Sequence, residues 1–264
     1  MTHLLEAKGL NKRFGAVTAA ADISVAVAQD SVIGLIGTNG AGKTTFVNMV
    51  TGYLKPDTGR IFFQGRDITA LHPRQVTRLG ICRSFQIPQL YNSLSAYDNL
   101  IVALGIVLRN AKPGVFSRVP RLVPGHELPL HEAAEAMLER FGLGEFRDKL
   151  AGVLPEGIRK LLDIAMALAV KPRVLLLDEP TSGVSSEEKF EIMDRVMTAV
   201  RAEGATVLFV EHDMDIVSRY ANRVLAFYDG RILADGAPEA VLADPEVREY
   251  VIGAHAQPKE VSHA

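Results

Sequence analysis

Cysteine is nearly absent: the 264-residue sequence contains one, Cys82. A single thiol can close no disulfide within the chain and build no cysteine cage for zinc. Set in the apolar run GICRSF, it reads as a small buried hydrophobe. A surplus of charge is missing too, since 29 Lys and Arg face 31 Asp and Glu, a net charge of −2. That balance leaves no electrostatic footprint for nucleic acid, and no nucleic-acid partner is expected. Apolar runs such as VLLL at 174–177 fall far short of the ~20 residues of a membrane-spanning helix. The N-terminus MTHLLEAKGL lacks the basic start, apolar centre and cleavage site of a secretory signal. These absences predict a cytoplasmic, soluble chain that could dock on a membrane partner. No internal repeat or sustained heptad pattern is visible.

What is present is material for a core. Hydrophobic residues make up 48% of the chain, and its length suits one large or two small domains. Segments 4–9, 17–27 and 60–63 alternate as short strands, predicting an antiparallel sheet near the N-terminus. SVIGLIG is a continuous apolar run, the pattern of a strand buried on both faces. RVLLLDE, ATVLFVE and RVLAFYDG repeat that texture, with helical stretches at 186–203 and 213–221 between them. The alternation predicts an α/β core with a parallel sheet. Helical patterns at 97–109, 131–141 and 154–170 form a mostly helical insertion, about residues 90–165, in one domain spanning 1–254. The stretch RNAKPGVFSRVPRLVPGHELP, rich in Pro, Gly and Arg, reads as a surface loop, with docking of a partner as the other possibility. Residues 255–264 read as a frayed tail.

GTNGAGKT, residues 37–44, matches G-x-x-x-x-G-K-[ST] between an apolar strand and a helix. Gly37, Gly40 and Gly42 let the backbone curl, so that amides from Thr38, Asn39 and Ala41 onward can face phosphate oxygens. The helix N-terminus at Lys43, Thr44 and Thr45 adds its positive dipole end. Lys43 can reach the β- and γ-phosphates, and the Thr44 hydroxyl can ligate Mg²⁺. Asp178 and Glu179 end the strand VLLLD, at the sheet edge where ligands collect in α/β folds. Asp178 is the candidate for holding Mg²⁺ and Glu179 for polarising an attacking water. Together the two motifs predict hydrolysis of a nucleoside triphosphate with Mg²⁺ bound; what purpose it serves they do not say.

At these residues the sequence resembles ABC transporter ATPase subunits, over nearly its whole length. The implied fold is a P-loop NTPase core with a parallel sheet, an N-terminal antiparallel β subdomain and an inserted helical subdomain. Residues 37–44 and 174–179 fall at the family's Walker A and Walker B. The resemblance implies further roles. Gln86, in RSFQ, would contact Mg²⁺ or the attacking water and signal to the membrane partner. His212, in VEHDM, would reach the γ-phosphate. Phe14, in KRFGAV, would stack on adenine. LPEGI, 154–158, occupies the signature loop, usually LSGGQ, whose helix start closes on the γ-phosphate of a second ATPase subunit. ATP would then act as glue between two cassettes.

The sequence departs from that pattern. Gly157 is retained, but Pro155 has neither the hydroxyl nor the N–H of the usual serine. Glu156 brings a negative charge toward a polyanion and is expected to point away. Ile158 replaces the glutamine, and Ser185 stands where an aspartate is usual in the following loop. The expectation is a weakened contact in trans, suited to a heterodimer whose partner carries a fuller signature.

KRFGAVTAAADIS, RSFQIPQLYNSLSAYDNL, the insertion near 105–130 and ADPEVREYVIG resemble the branched-chain amino acid importer ATPases of bacteria. That resemblance implies a second ATPase subunit, two integral-membrane permeases, indirectly a periplasmic binding protein, and a peripheral position on the cytoplasmic face of the inner membrane. Related importers carry urea, amides or aromatic acids. A soluble P-loop kinase, a non-transport ABC ATPase and a module that holds ATP without cleaving it are the rival readings. The last sits badly with the presence of Glu179, Gln86 and His212.

Overall fold

The structure is a computed structural model that describes residues 3–84, 89–110 and 122–253. Gln86, the first part of the Pro- and Arg-rich stretch, and the C-terminal tail lie outside the described residues. The chain divides into two units, Met1–Leu79 with Val207–Ala264, and Gly80–Thr206.

The first unit opens with β1 (Leu5–Phe14) and β2 (Val17–Val27), antiparallel to each other. Leu5 and Ala7 of β1 are buried at the period-two spacing of a pleated strand, and an irregularity in the register between Ala7 and Leu10 brings Leu10 into the core as well. β3 (Val32–Gly37) is buried at every position. It leads into α1 (Lys43–Val50), followed by β4 (Thr58–Phe63), β5 (Arg66–Asp67) and α2 (Pro73–Leu79). Strands β2, β1, β4 and β5 form the antiparallel sheet expected near the N-terminus.

The second unit holds β6 (Ile81–Arg83), α3 (Ala96–Asn110), β7 (Leu122–Val123), β8 (Leu128–Pro129), α4 (Leu130–Arg140), α5 (Glu156–Leu168), β9 (Val174–Asp178) and α6 (Glu188–Glu203). β6 runs parallel to β9, with Arg83 opposite Leu176. α3 begins on a local box: Ser95 Oγ accepts the Asp98 N–H at 3.0 Å and donates to its carboxylate at 2.7 Å. The expected helical subdomain falls within this unit, which also carries β6, β9 and α6. One sequence expectation changes. Residues 122–129, read as part of a surface loop, form the β7–β8 hairpin. Val123 is fully buried there, and the His126 ring lies 2.8 Å from the Ala169 carbonyl. Apolar burial and a long-range polar contact hold a segment whose composition signals only a loop.

The chain returns to the first unit with β10 (Thr206–Val210), α7 (Met214–Tyr220), β11 (Arg223–Tyr228), β12 (Arg231–Gly236), α8 (Pro238–Ala243) and α9 (Pro245–Val247). β3 is parallel to β10 on one side and to β11 on the other, which is why its run of six is apolar throughout. β12 closes this part antiparallel to β11. Among the described residues no helix is long and apolar enough to cross a membrane.

Candidate functional site

In the first unit, β3 delivers the chain into the loop 38–42 and α1 leaves from it. Gly42, at the N-cap, has φ +104°, and a side chain on it would begin 2.7 Å from the Ala19 carbonyl. A side chain on Gly37 would begin 2.6 Å from the Phe227 carbonyl. Both glycines are therefore required by the close backbone of β2 and β11, as well as by the turn. Phe46, on the buried face of α1, meets Phe227 with ring centroids 5.7 Å apart and anchors the helix on β11. The first turn of α1 carries no acidic residue, so nothing on the helix itself answers its positive end. Lys43 is buried and folds back over the loop, its Nζ donating to the carbonyls of Gly37 at 2.6 Å and Thr38 at 3.0 Å. Asn39, Gly40 and Thr44 are exposed, with Thr38 and Thr45 partly so, and Ala41 is buried. Chemically, backbone N–H groups, one ammonium and a threonine hydroxyl brought together at a helix N-terminus are able to receive an anion.

Two further sequence candidates belong to the same unit. Phe14, at the end of β1, is 52% exposed, with the Lys12 ammonium 5.6 Å from its ring centre. It offers an aromatic face to solvent. His212 follows β10, flanked by two carboxylates that do different things. Glu211 is buried, and its Oε2 accepts the His212 N–H at 3.2 Å. Asp213 caps α7 by accepting from the amides of Asp215 and Ile216.

In the second unit, β9 ends at Asp178, which is paired with the Arg83 guanidinium at 2.5 Å; both side chains are about nine-tenths buried. Glu179 follows with φ +50°, a left-handed conformation that costs a non-glycine residue about 1–2 kcal/mol. From there the chain turns through Ser182, whose N–H donates to the Glu179 carbonyl at 3.2 Å. Each unit carries a hard oxygen donor of the kind that Mg²⁺ prefers, the Thr44 hydroxyl in the first and the Asp178 carboxylate in the second. No group of three or more His, Cys, Asp or Glu able to hold a metal occurs among the described residues. This donor chemistry fits Mg²⁺ that brings phosphate and water ligands with it.

α5 begins at Glu156 with Pro155 as its N-cap, and no side chain caps it. Gly157 has a packing reason: a side chain there would begin 2.8 Å from Ile192 Cδ1 on α6. The Glu156 carboxylate turns onto the neighbouring loop, with Oε1 2.5 Å from where a side chain on Gly183 would begin. Ser185 has a local task as well, its Oγ donating to Glu188 at 2.7 Å at the start of α6. A cavity of about 150 Å³ between these elements is lined by Glu156, Glu188 and Glu191 as well as Arg195. Its charge is therefore predominantly negative.

Sequence reasoning passed over buried charges near the candidates, three of which bear on them directly. Arg83 and Glu211 are two. The third is Lys160, 3% exposed on α5, whose Nζ donates to the Glu179 carbonyl at 2.9 Å and to Ser182 Oγ at 2.6 Å. A signal for it exists: Lys160 lies three residues after Gly157 and four before Ile164, inside the apolar stripe. Asp163, also buried on α5, accepts the Gln89 N–H at 3.0 Å.

Comparison with known proteins matches residues 20–182 to the family described as ABC transporter. The chain is 34% identical over 255 residues to the probable branched-chain amino acid transport ATP-binding protein LivG of Archaeoglobus fulgidus, covering 95% of this chain and 96% of that protein. It is 34% identical over 251 residues to the high-affinity branched-chain amino acid transport ATP-binding protein BraF of Pseudomonas aeruginosa, covering 95% and 98%. It is 35% identical over 253 residues to the lipopolysaccharide export system ATP-binding protein LptB of Acidithiobacillus ferridurans, covering 96% and 98%. Among solved structures, an ATP-binding cassette of an ABC transporter aligns with TM-score 0.80 at 32% identity, covering 95% of this chain and 99% of that one. The ADP conformation of such a cassette aligns with TM-score 0.79 at 32% identity, covering 95% and 98%. An anion cradle at a strand–helix junction, a strand ending in Asp–Glu and these whole-length likenesses converge: the chain belongs to the ABC transporter family and is an ATP-binding, ATP-hydrolysing subunit.

Proposed function

We propose that this subunit drives an importer of branched-chain or related hydrophobic amino acids. The likeness to LivG and BraF over 95% of the chain carries this reading. On it, the subunit sits at the cytoplasmic face of the inner membrane, bound to two permeases and a second ATPase subunit. A periplasmic binding protein delivers solute to the permeases. Urea, amides or aromatic acids are the other cargoes of similar machinery. The likeness to LptB favours a second reading, an ATPase that powers lipopolysaccharide export. The accompanying proteins separate the two: a complex containing a binding protein for small solutes supports import, and one that binds lipopolysaccharide refutes it.

In the proposed chemistry, Phe14 stacks on adenine, and residues 37–45 with Lys43 hold the phosphates through backbone N–H groups and a point charge. Thr44, Asp178 and Gln86 would hold Mg²⁺, whose charge would offset that of the β- and γ-phosphates. Glu179 takes a proton from the attacking water, and His212 faces the γ-phosphate. Gly157 lets the start of α5, the part offered to a second cassette, pack against Ile192 of α6. The negative cavity beside that start, with Glu156 at its rim, weakens the hold on a partner's triphosphate. This favours a heterodimer in which the partner supplies the stronger contact. The test is Glu179→Gln, expected to bind ATP, cut turnover ~100-fold or more, and accumulate a nucleotide-held dimer. Wild-type turnover in this variant would remove Glu179 as the base.

A further inference from the structure

Lys160 is a buried ammonium on the helix that begins with LPEGI, and two of its hydrogen bonds leave that helix. One hydrogen bond goes to the backbone carbonyl of Glu179 and another to the hydroxyl of Ser182. An ammonium buried to 3% exposure is tolerable only where such acceptors meet it. The Glu179 carbonyl also accepts the Ser182 N–H, so one oxygen gathers two donors around a residue held at φ +50°. A non-glycine residue keeps a left-handed conformation only when its surroundings over-determine it. Lys160 is one of those surroundings.

We infer that Lys160 is a positioning residue for hydrolysis: it holds the Glu179 peptide, and hence the direction of its carboxylate, from the helix that faces the second cassette. The inference rests on the reading of Glu179 as the base. Its consequence is mechanical. On this chain, the group that serves the chain's own nucleotide and the helix offered to the partner's nucleotide share one hydrogen-bonded ammonium. A shift of α5 on dimer closure is thereby felt at Glu179. Lys160 bonds to Glu179 through the backbone and to Ser182 through the side chain, so its removal is expected to disturb the chemical step and leave nucleotide capture intact.

The experiment compares wild type, Lys160→Met, Lys160→Arg, Ser182→Ala and Glu179→Gln in the full chain, carried in the transporter complex purified through a tag on this subunit. ATP turnover, KM for ATP, affinity for a fluorescent ATP analogue and thermal melting are measured on each. Lys160→Met is expected to lower kcat by ~10- to 100-fold with KM and analogue affinity within about twofold of wild type. Lys160→Arg, which retains a donor, restores most of the rate. Should the Met variant fail to fold, Ser182→Ala removes the other end of the same bridge and is expected to give a smaller loss in kcat alone. Unchanged kcat in a folded Lys160→Met or Ser182→Ala, or a rate loss matched by weaker nucleotide binding, overturns the inference. A silent Glu179→Gln beside a fully active Lys160→Met removes only the positioning role. An active Glu179→Gln removes the reading of Glu179 itself.

Discussion

Replacing Arg83 by methionine tests how the Asp178 carboxylate is held. The pair is about nine-tenths buried on both sides and closes to 2.5 Å. Charge centres about 4 Å apart attract by about 4 kcal/mol at an effective dielectric of about 20. In wild type that attraction offsets the desolvation of both groups, so the pair's net worth is small. Removing one member is another matter, because the carboxylate then stays buried without its counter-charge. Such losses run to about 3–5 kcal/mol. Replacing both members, with Arg83→Met and Asp178→Leu together, removes the stranded charge and is expected to recover most of the deficit, because apolar replacement of a whole buried pair is often close to neutral. Equilibrium urea unfolding in chelator, with unchanged slopes, measures all three proteins. On the proposed role of Asp178 in holding Mg²⁺, adding Mg²⁺ and ATP afterwards should stabilise Arg83→Met more than wild type, since no guanidinium competes for the carboxylate. An Arg83→Met variant within 1 kcal/mol of wild type, or a double variant as unstable as the single, would refute the reasoning.

Lys43→Ala removes an ammonium and its charge-assisted hydrogen bonds from the phosphate cradle. The expected cost is about 2 kcal/mol, roughly thirtyfold in ATP affinity by titration, with the fold intact by circular dichroism. Burial opposes the charge on Glu203, but hydrogen bonds from Lys171 and Arg140 outweigh it and hold its pKa below the usual carboxylate value. A depressed acid stabilises above its unfolded pKa and loses that contribution as pH falls through the folded value. Glu203→Gln should therefore be less stable than wild type by about 1–2 kcal/mol at pH 7, with the gap closing in acid; a constant gap would disprove the assignment. Burial pushes the Cys82 thiol up to about 12. The folded protein should resist alkylation at pH 8 and react fully in denaturant, and rapid labelling of the native form would contradict the burial.

The elements legible in advance were those whose evidence is local. SVIGLIG announced β3 because a strand sandwiched by parallel neighbours has no polar face to show. GTNGAGKT announced the junction of β3 and α1 because its backbone path demands those glycines within a few residues, and the structure adds that β2 and β11 leave no room for a side chain on Gly42 or Gly37. The helical stripe at 154–170 announced α5. The β7–β8 hairpin was not legible, because its two-residue strands carry too little pattern and depend on burying Val123.

Sequence alone determined which apolar runs form strands, the glycine-rich turn between β3 and α1 and the Asp–Glu pair at the end of β9, since each is specified by neighbours along the chain. Tertiary structure decided where the buried charges go. Arg83 and Asp178 are 95 residues apart, and Lys160 lies 19 from Glu179. A charged side chain left to its local sequence prefers water. Only the packing of β6 on β9 and of α5 beside the 179–182 turn withdraws that water and makes a distant partner obligatory.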